Sequence, residues 1–287
     1  MGGHNCNDIT VIVCTKNVEK TIEKTLQSII ANKPGEIIVV DANSTDNTRN
    51  ILQKYNVKIV NDPGKGLALA RQIGIEAATK KYIFFIGDDN YIEKNSLLKL
   101  KLYMLEHNWI GAGMLTRIRR SKKNYWACCS NVRWKVRIYE GERSVIGTPY
   151  IFYADILKAA SYDKDMGDAD DADIEKRILE SNPKYKIGYS NVICQDYAKT
   201  KFEDIVERFT RYGKSDYLFW KKYSVDWGIK RKWKSITHPL RDELIIPTSK
   251  IHTLSKKIYC LPYFIIITAI RYLAWIKCAI KDTKKTS

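Results

Sequence analysis

The sequence predicts an α/β fold built on a mostly parallel sheet covered by helices. Three observations carry this. Short apolar runs alternate with segments of helical periodicity over residues 9–90, the connections between them are short, and the runs lack the polar alternation of half-exposed strands.

In chain order, residues 9–14 read as a first buried strand, with Thr15-Lys16-Asn17 as its loop and Asn17 as a helix N-cap. Val18, Ile22, Leu26 and Ile29 or Ile30 recur at helical spacing until Pro34-Gly35 stops the helix. Residues 36–40 form a second strand ending in Asp41, and Asn43-Ser44-Thr45-Asp46 opens a helix running to about Tyr55. Residues 57–60 are a third strand, followed by Asn61-Asp62-Pro63-Gly64. Residues 67–79 are helical, with a face of small residues (Ala68, Ala70, Gly74, Ala77, Ala78) suited to close packing on a sheet. The fourth strand, 82–86, is apolar throughout and runs into Gly87-Asp88-Asp89-Asn90.

Composition bounds the function loosely. Lys and Arg exceed Asp and Glu by 49 − 32 = 17 over 287 residues, which suits nucleic acid, an acidic membrane or phosphorylated substrates. The seven cysteines include no CxxC pair and the four histidines no ligand pair at helical spacing, so a reducing compartment without structural zinc is expected. No apolar run of a secretory signal opens the chain, and Met1-Gly2-Gly3 lacks the Ser or Thr that myristoylation wants, Cys6 standing there instead.

Thr15, Asp41, Asp62 and Asp88/Asp89 each follow the carboxyl end of a predicted strand. They therefore share the sheet edge where open α/β folds bind ligands. Asp88-Asp89 alone reads equally well as a solvated turn. The glycine-rich dinucleotide turn is absent after the first strand, and Gly64-Lys65-Gly66 is not a Walker loop. An acid-lined edge suits a nucleotide whose base donates an N–H and whose diphosphate arrives with a divalent cation.

At these residues the chain resembles a family 2 glycosyltransferase of the GT-A fold. Residues 11–17 are similar to that family's opening strand and loop. Residues 39–48 (VVDANSTDNT) resemble "VDdgStDgT", and residues 66–72 resemble "glaaARN". Gly87-Asp88-Asp89 stands at the DxD position, residues 170–177 fit "EDvDLslR", and residues 208–213 fit "R..RYG". The resemblance covers roughly residues 8–215. It implies a Rossmann-like domain over 1–215, with a donor half at 1–110 and an acceptor half at 111–215.

Carried over position by position, the resemblance implies that Thr15, Asp41 and Arg71 contact the nucleotide base. Asp88 holds the ribose, Asp89 holds Mn²⁺ or Mg²⁺, and Asp171 is the general base. It implies an inverting transfer from a nucleotide sugar, a UDP-sugar being favoured, to a hydroxyl of a glycan or lipid-linked acceptor. Gly87 departs from the usual first acid. The histidine that often precedes "RYG" is missing, which leaves Gln195 or Asp196 in its place. Read locally, Asp170-Asp171 is also a helix N-cap, and Asp163, Asp165, Asp168 and Asp173 crowd the same stretch.

Residues 117–143 are basic with interleaved aromatics: Arg117, Arg119, Arg120, Lys122, Lys123, Tyr125, Trp126, Arg133, Trp134, Lys135 and Arg137. That pattern reads as a nucleic-acid stripe or a solvated face, and the family resemblance implies instead a mobile loop near a phosphorylated acceptor between the two halves. A basic nucleic-acid-binding protein on an α/β scaffold, or an inactive relative that only binds a sugar nucleotide, is the alternative function. The acidic motifs argue against nucleic acid as a partner.

Residues 216–287 form a basic, aromatic and hydrophobic helical region. Residues 258–276 carry one charge, Arg271, and contain Pro262. A helix or helical pair against an anionic membrane at its cytoplasmic face is expected, with a single span as the alternative and a buried helix of a soluble dimer as a third reading.

Overall fold

The computed structural model describes residues 5–119, 124–197 and 201–286. The Met1–Gly3 start, His4, Arg120, Lys122 and Lys123, and the side chains of Lys284 and Lys285 lie outside the described residues.

In chain order the elements are β1 (Cys6–Thr15), α1 (Ile22–Ile30), β2 (Pro34–Asp41), α2 (Thr48–Leu52), β3 (Lys58–Asn61), α3 (Leu67–Ala77), β4 (Tyr82–Phe85), β5 (Asn90–Ile92), α4 (Ser96–Glu106) and β6 (Gly111–Ile118). There follow α5 (Tyr125–Arg137), β7 (Gly141–Arg143), β8 (Tyr150–Tyr153), α6 (Ala154–Ala160), a 3₁₀ turn (Lys164–Ala169), α7 (Asp170–Ser181) and β9 (Ile187–Asp196). The rest is helical: α8 (Phe202–Tyr223), a 3₁₀ turn (Ser224–Asp226), α9 (Ile229–Ile236), α10 (His238–Leu240), a π turn (Arg241–Ile245), α11 (Ile246–Lys250) and α12 (Leu254–Thr286). Two compact units result. The first holds residues 1–119, 139–164 and 170–198, and the second holds 120–138, 165–169 and 199–287. The boundary anticipated at 215/216 falls inside the continuous helix α8.

The first unit carries one sheet in the order β3-β2-β1-β4-β8-β6-β9-β5, with β7 also on β9. β3, β2, β1 and β4 pair in parallel, as the alternation in the sequence requires. Beyond β4 the sheet is mixed, since β8 runs antiparallel to both β4 and β6, while β6 and β9 are parallel. "Mostly parallel" therefore describes the amino-terminal half.

Sequence explains the packing. Ile22, Leu26 and Ile29 lie on one face of α1 and are fully buried with Val11, Val13 and Val39. Each such side chain contributes about 1.5–3 kcal/mol by leaving water. On α3, a Cβ at Gly74 would sit 2.6 Å from Ile12 Cγ2, so the absent side chain lets this helix lie directly on β1.

The anticipated cap at Asn17 does not form. Asn17 has φ 54°, its Oδ1 accepts from Thr45 N at 2.8 Å, and Val18 N donates to Thr48 Oγ1 at 2.8 Å. These bonds tie the loop after β1 to the loop after β2, so α1 starts only at Ile22. The same tie shortens the helix expected over 43–55 to Thr48–Leu52.

In the second unit, α8 and α12 approach closely at Gly213, where a Cβ would meet the Arg271 carbonyl oxygen at 2.1 Å. The glycine of the "RYG" segment is thus a helix-packing residue here. Around the pair, Cys129, Val132, Phe209, Tyr263, Phe264 and Ile267 form an apolar core. A buried carboxylate sits within this unit. Glu243 accepts from Arg133 (2.5 and 2.6 Å), Arg137 (2.7 Å) and Arg271 (2.6 Å), and Arg271 also holds Asp216 at 2.5 and 2.7 Å. Arg133 and Arg137 of the basic stretch therefore serve an internal ion cluster, not a solvated stripe. Arg271, the lone charge in the apolar segment, is buried and paired.

Burial alone would raise the Glu243 carboxyl, but Arg133, Arg137 and Arg271 hold it down to about 2 from the usual 4.5. Its stabilisation is present above the unfolded-state value and lost as pH falls toward 2. Glu243→Ala leaves the buried Arg133 guanidinium without its carboxylate and weakens the pairing of Arg137 and Arg271. Urea unfolding at neutral pH should show a loss of about 3–5 kcal/mol, shrinking as pH drops below about 4.

Candidate active site

The ends of β1 and β2 are in register, Thr15 beside Asp41 and Asp41 beside Asn61 of β3. Asp41 is fully buried. Its Oδ1 accepts from Ser44 Oγ (2.5 Å) and Thr15 Oγ1 (3.2 Å), and its Oδ2 from Arg49 Nε (2.6 Å) and Ser44 N (3.1 Å). Burial opposes ionisation, but the Ser44 and Arg49 donors win and the carboxyl stays below its usual range. Arg49 also donates to Asn61 Oδ1 at 2.7 Å. Asp62 follows at the same edge, its backbone N–H donating to the Asp41 carbonyl at 2.9 Å.

β4 lies next to β1, with Ile12 beside Phe85, and brings the Asp88-Asp89 turn to that edge. The turn is closed by Asn90 N donating to the Gly87 carbonyl (3.2 Å) and by Gly87 N donating to Asn90 Oδ1 (3.3 Å). A Cβ at position 87 would lie 3.0 Å from that Asn90 oxygen, so a side chain there would press on the turn. Asn90 Nδ2 donates to Asp89 Oδ1 at 3.3 Å, and Thr25 Oγ1 donates to the Asp88 carbonyl at 2.9 Å. Both aspartates are partly exposed. On the pairing strand, Asp196 lies opposite Asn90 and Gln195 opposite Tyr91, so the two candidates for the missing histidine's place do reach this turn.

The third group gathers on α7. Arg71 Nη1 donates to Asp170 Oδ2 (2.6 Å) and Asp171 Oδ1 (2.7 Å), and Nη2 donates to Thr148 Oγ1 (2.7 Å). The Nη1 and Nη2 donors of Arg71 thus serve the acidic pair and Thr148. Asp171 Oδ1 also accepts from Tyr150 Oη (2.8 Å) and Tyr162 Oη (3.3 Å). The two phenols are themselves hydrogen-bonded. Burial and the Asp171 charge push both phenols far above their usual range, so they remain donors. Among the described residues no donor ends on Asp171 Oδ2. Asp170 is almost wholly buried, and desolvation raises its carboxyl despite Arg71. One guanidinium thus faces two adjacent carboxylates. Asp173 turns elsewhere and pairs with Arg177 at 2.9 Å, whose guanidinium also donates to the Ser161 carbonyl at 2.6 Å.

These groups belong together. Cys14, at the end of β1, feels Arg71, Asp170, Asp62 and Asp88, although burial is the main cause that lifts its thiol to about 12. Sequence reading missed Ser44, Arg49 and Tyr162 as members. Ser44 and Arg49 sit inside a motif already singled out. Tyr162 looks like a core aromatic, and only the partners of its hydroxyl mark it.

Among the described residues no group of three His, Cys, Asp or Glu side chains forms a metal cage. Asp89 instead offers part-exposed oxygen at a ligand edge, a hard donor that fits Mg²⁺ or Mn²⁺ when diphosphate and water complete the shell.

This mixed α/β domain has the GT-A fold of glycosyltransferases. The profile of glycosyl transferase family 2 matches residues 10–160, more than half of the chain, and the chain belongs to that family. It is similar to the poly(ribitol-phosphate) β-N-acetylglucosaminyltransferase TarS of Staphylococcus aureus, 32% identical over 111 residues, which are 34% of this chain and 19% of that protein. It is also similar to the UDP-Glc:α-D-GlcNAc-diphosphoundecaprenol β-1,3-glucosyltransferase WfaP of Escherichia coli, 34% identical over 89 residues, 29% of this chain and 36% of that protein. The chain thus matches less than half the length of either relative. In structure, TarS 1-349 superposes with a TM-score of 0.54 at 15% identity, covering 97% of this chain and 92% of the other. Glucosyl-3-phosphoglycerate synthase of Mycobacterium tuberculosis, crystallised with Mn²⁺, UDP and phosphoglyceric acid, gives 0.54 at 15% identity over 74% of this chain and 77% of the other. At those identities the superpositions speak for the fold alone.

Removing Arg71 leaves two adjacent buried carboxylates without a cation. A raised carboxyl stabilises the fold while protonated and loses that contribution as pH rises above the unfolded value near 3.8. Arg71→Met should therefore cost about 3–5 kcal/mol at neutral pH. The loss should be smaller at pH 5 than at pH 8 in urea unfolding.

Proposed function

We propose that the chain transfers a sugar from a UDP-sugar to a hydroxyl of a lipid-linked or surface glycan, with inversion at the anomeric carbon. The observation that carries this reading is the loading of Asp171. Arg71 and the hydrogen-bonded Tyr150–Tyr162 pair, in which one phenol donates to the other and one to the carboxylate, converge on Oδ1 and orient the group. Oδ2 is left to accept the proton of an acceptor hydroxyl as that hydroxyl attacks, which is what a poor nucleophile requires. One base suffices, because a single in-line displacement needs no covalent intermediate.

On the donor side, Asp41 is an ionised acceptor at the end of β2, suited to the N–H of a pyrimidine base, with Thr15 beside it. In this reading Arg49 gives up its bond to Asp41 when the base enters. Arg71 acts as a positioning residue for Asp171 instead of a base contact. Asp88 holds the ribose. A divalent cation held by Asp89 and the donor's own diphosphate would neutralise the charge that builds on the leaving group. The acceptor class takes support from WfaP and TarS, whose names specify a diphosphoundecaprenol-linked sugar and poly(ribitol-phosphate). A location at the cytoplasmic face of a membrane fits a lipid-linked acceptor and the excess of 17 positive charges.

UDP release from a panel of UDP-, GDP- and dTDP-sugars tests this. Asp171→Asn should lower kcat by about 10²–10⁴-fold, with UDP affinity nearly unchanged. Asp89→Ala should abolish stimulation by Mn²⁺ or Mg²⁺. Full turnover by Asp171→Asn moves the base to another group, and a preference for GDP-sugars removes the uracil reading of Asp41.

A further inference from the structure

α12 is apolar on two opposite faces. One face, with Cys260, Tyr263, Phe264, Ile267 and Ala274, is buried inside the second unit. The other bears Ile258, Pro262, Ile265, Ala269, Leu273, Ile276 and Ile280, all exposed and without a polar residue among them. Over 22 residues this open stripe is roughly 33 Å long. From the same unit, α9 contributes Ile229 (75% exposed), Trp233 (63%) and Ile236 at positions i, i+4 and i+7, and it has no buried residue at all. The Tyr272 hydroxyl donates to the Ile236 carbonyl at 2.8 Å, so α9 ends against α12.

We infer that the second unit docks on an anionic lipid surface by lying α12 in the plane of the interface, its open stripe in the acyl boundary and α9 inserted beside it. This deepens the peripheral location proposed above and rests on it only for the presence of a membrane. The donor chemistry plays no part.

Three features choose this occupant. First, a span is excluded by Arg271, whose guanidinium is held in place by Asp216 of α8 and by Glu243. To carry Arg271 across a bilayer, α12 would have to take the heavily charged α8 with it or break a buried ion cluster. Secondly, the stripe advances in steps of 4, 3, 4, 4, 3 and 4, about 3.7 residues per turn, so it runs nearly straight along the helix and suits a flat interface. That period excludes a left-handed coiled-coil seam, which needs about 3.5, and leaves a right-handed pair of copies to be opposed by charge.

Thirdly, the charge on α12 is one-sided. Lys256 and Lys257 stand at one end and Lys277 and Lys281 at the other, and the single acid, Asp282, is held by Lys221 at 2.6 Å. Two copies packed through the stripe would set lysine against lysine in either orientation. Anionic headgroups complement both ends, and Lys230, Arg231, Lys232 and Lys234 of α9 add to them.

The test is sedimentation of the purified full chain with phosphatidylcholine vesicles, with and without phosphatidylglycerol. The wild type should sediment with the anionic vesicles, less so in high salt. The double variant Ile265→Asp/Leu273→Asp, and separately Trp233→Asp, should weaken binding by about tenfold or more. All these positions are exposed, so thermal unfolding and UDP affinity should stay at wild-type values, which separates loss of docking from misfolding. UDP turnover with no vesicle binding overturns the docking surface and leaves the transferase reading standing. A wild-type dimer that the double variant converts to monomer, with lipid binding unchanged, gives the stripe to a second copy. Resistance of the membrane-bound protein to alkaline carbonate extraction would put α12 across the bilayer and also overturn the inference.

Discussion

The first unit is organised around one charge balance: Arg71 facing Asp170 and Asp171 in a nearly dry place. Two adjacent carboxylates at the start of α7 gain from the helix dipole, but burial at this depth demands a cation. The cation comes from α3, on the donor side of the chain, and α3 is held on β1 by the close approach at Gly74. The carboxylate proposed as the base is thus oriented by a helix that also borders the nucleotide edge. Tyr150 on β8 and Tyr162 after α6, one donating to the other, add a neutral donor to the same oxygen. The direction in which Asp171 faces is set by elements far apart in sequence.

That distance explains what the sequence could and could not reveal. The first four parallel strands are legible because each is an apolar run too short for a helix, and their ends align the polar residues without further information. Asp88-Asp89 and Asp41 are visible for the same reason. The ion pair of Arg71 spans about a hundred positions and leaves no local periodicity. The family pattern suggested a nucleotide contact for Arg71 and said nothing of its pairing with the acidic pair. Asn17 misled differently. Its side chain is a good cap in isolation, but Thr45 captures it and the helix begins later. The antiparallel pairing around β8 escaped notice because a buried antiparallel strand reads like a buried parallel one.

The second unit shows the same competition between composition and context. Arg133 and Arg137 belong to a stretch that reads as a basic surface, yet Glu243, more than a hundred residues away in sequence, draws both inward. Arg271 weakened the case for a membrane span in the sequence. In the structure it does more, since it fixes which face of α12 is committed to protein and which is left open. The length and hydropathy of that helix are compatible with several environments. The ion cluster and the straight stripe are what discriminate among them.

The central claim is a single displacement assisted by Asp171, and its most direct test is the stereochemistry of the product. Proton NMR of the purified glycoside formed from an α-linked UDP-sugar, read at its anomeric proton, reports it. The account predicts a β-configured glycoside. An α-configured glycoside would require a second nucleophile or a different face of attack, and would contradict the role assigned to Asp171.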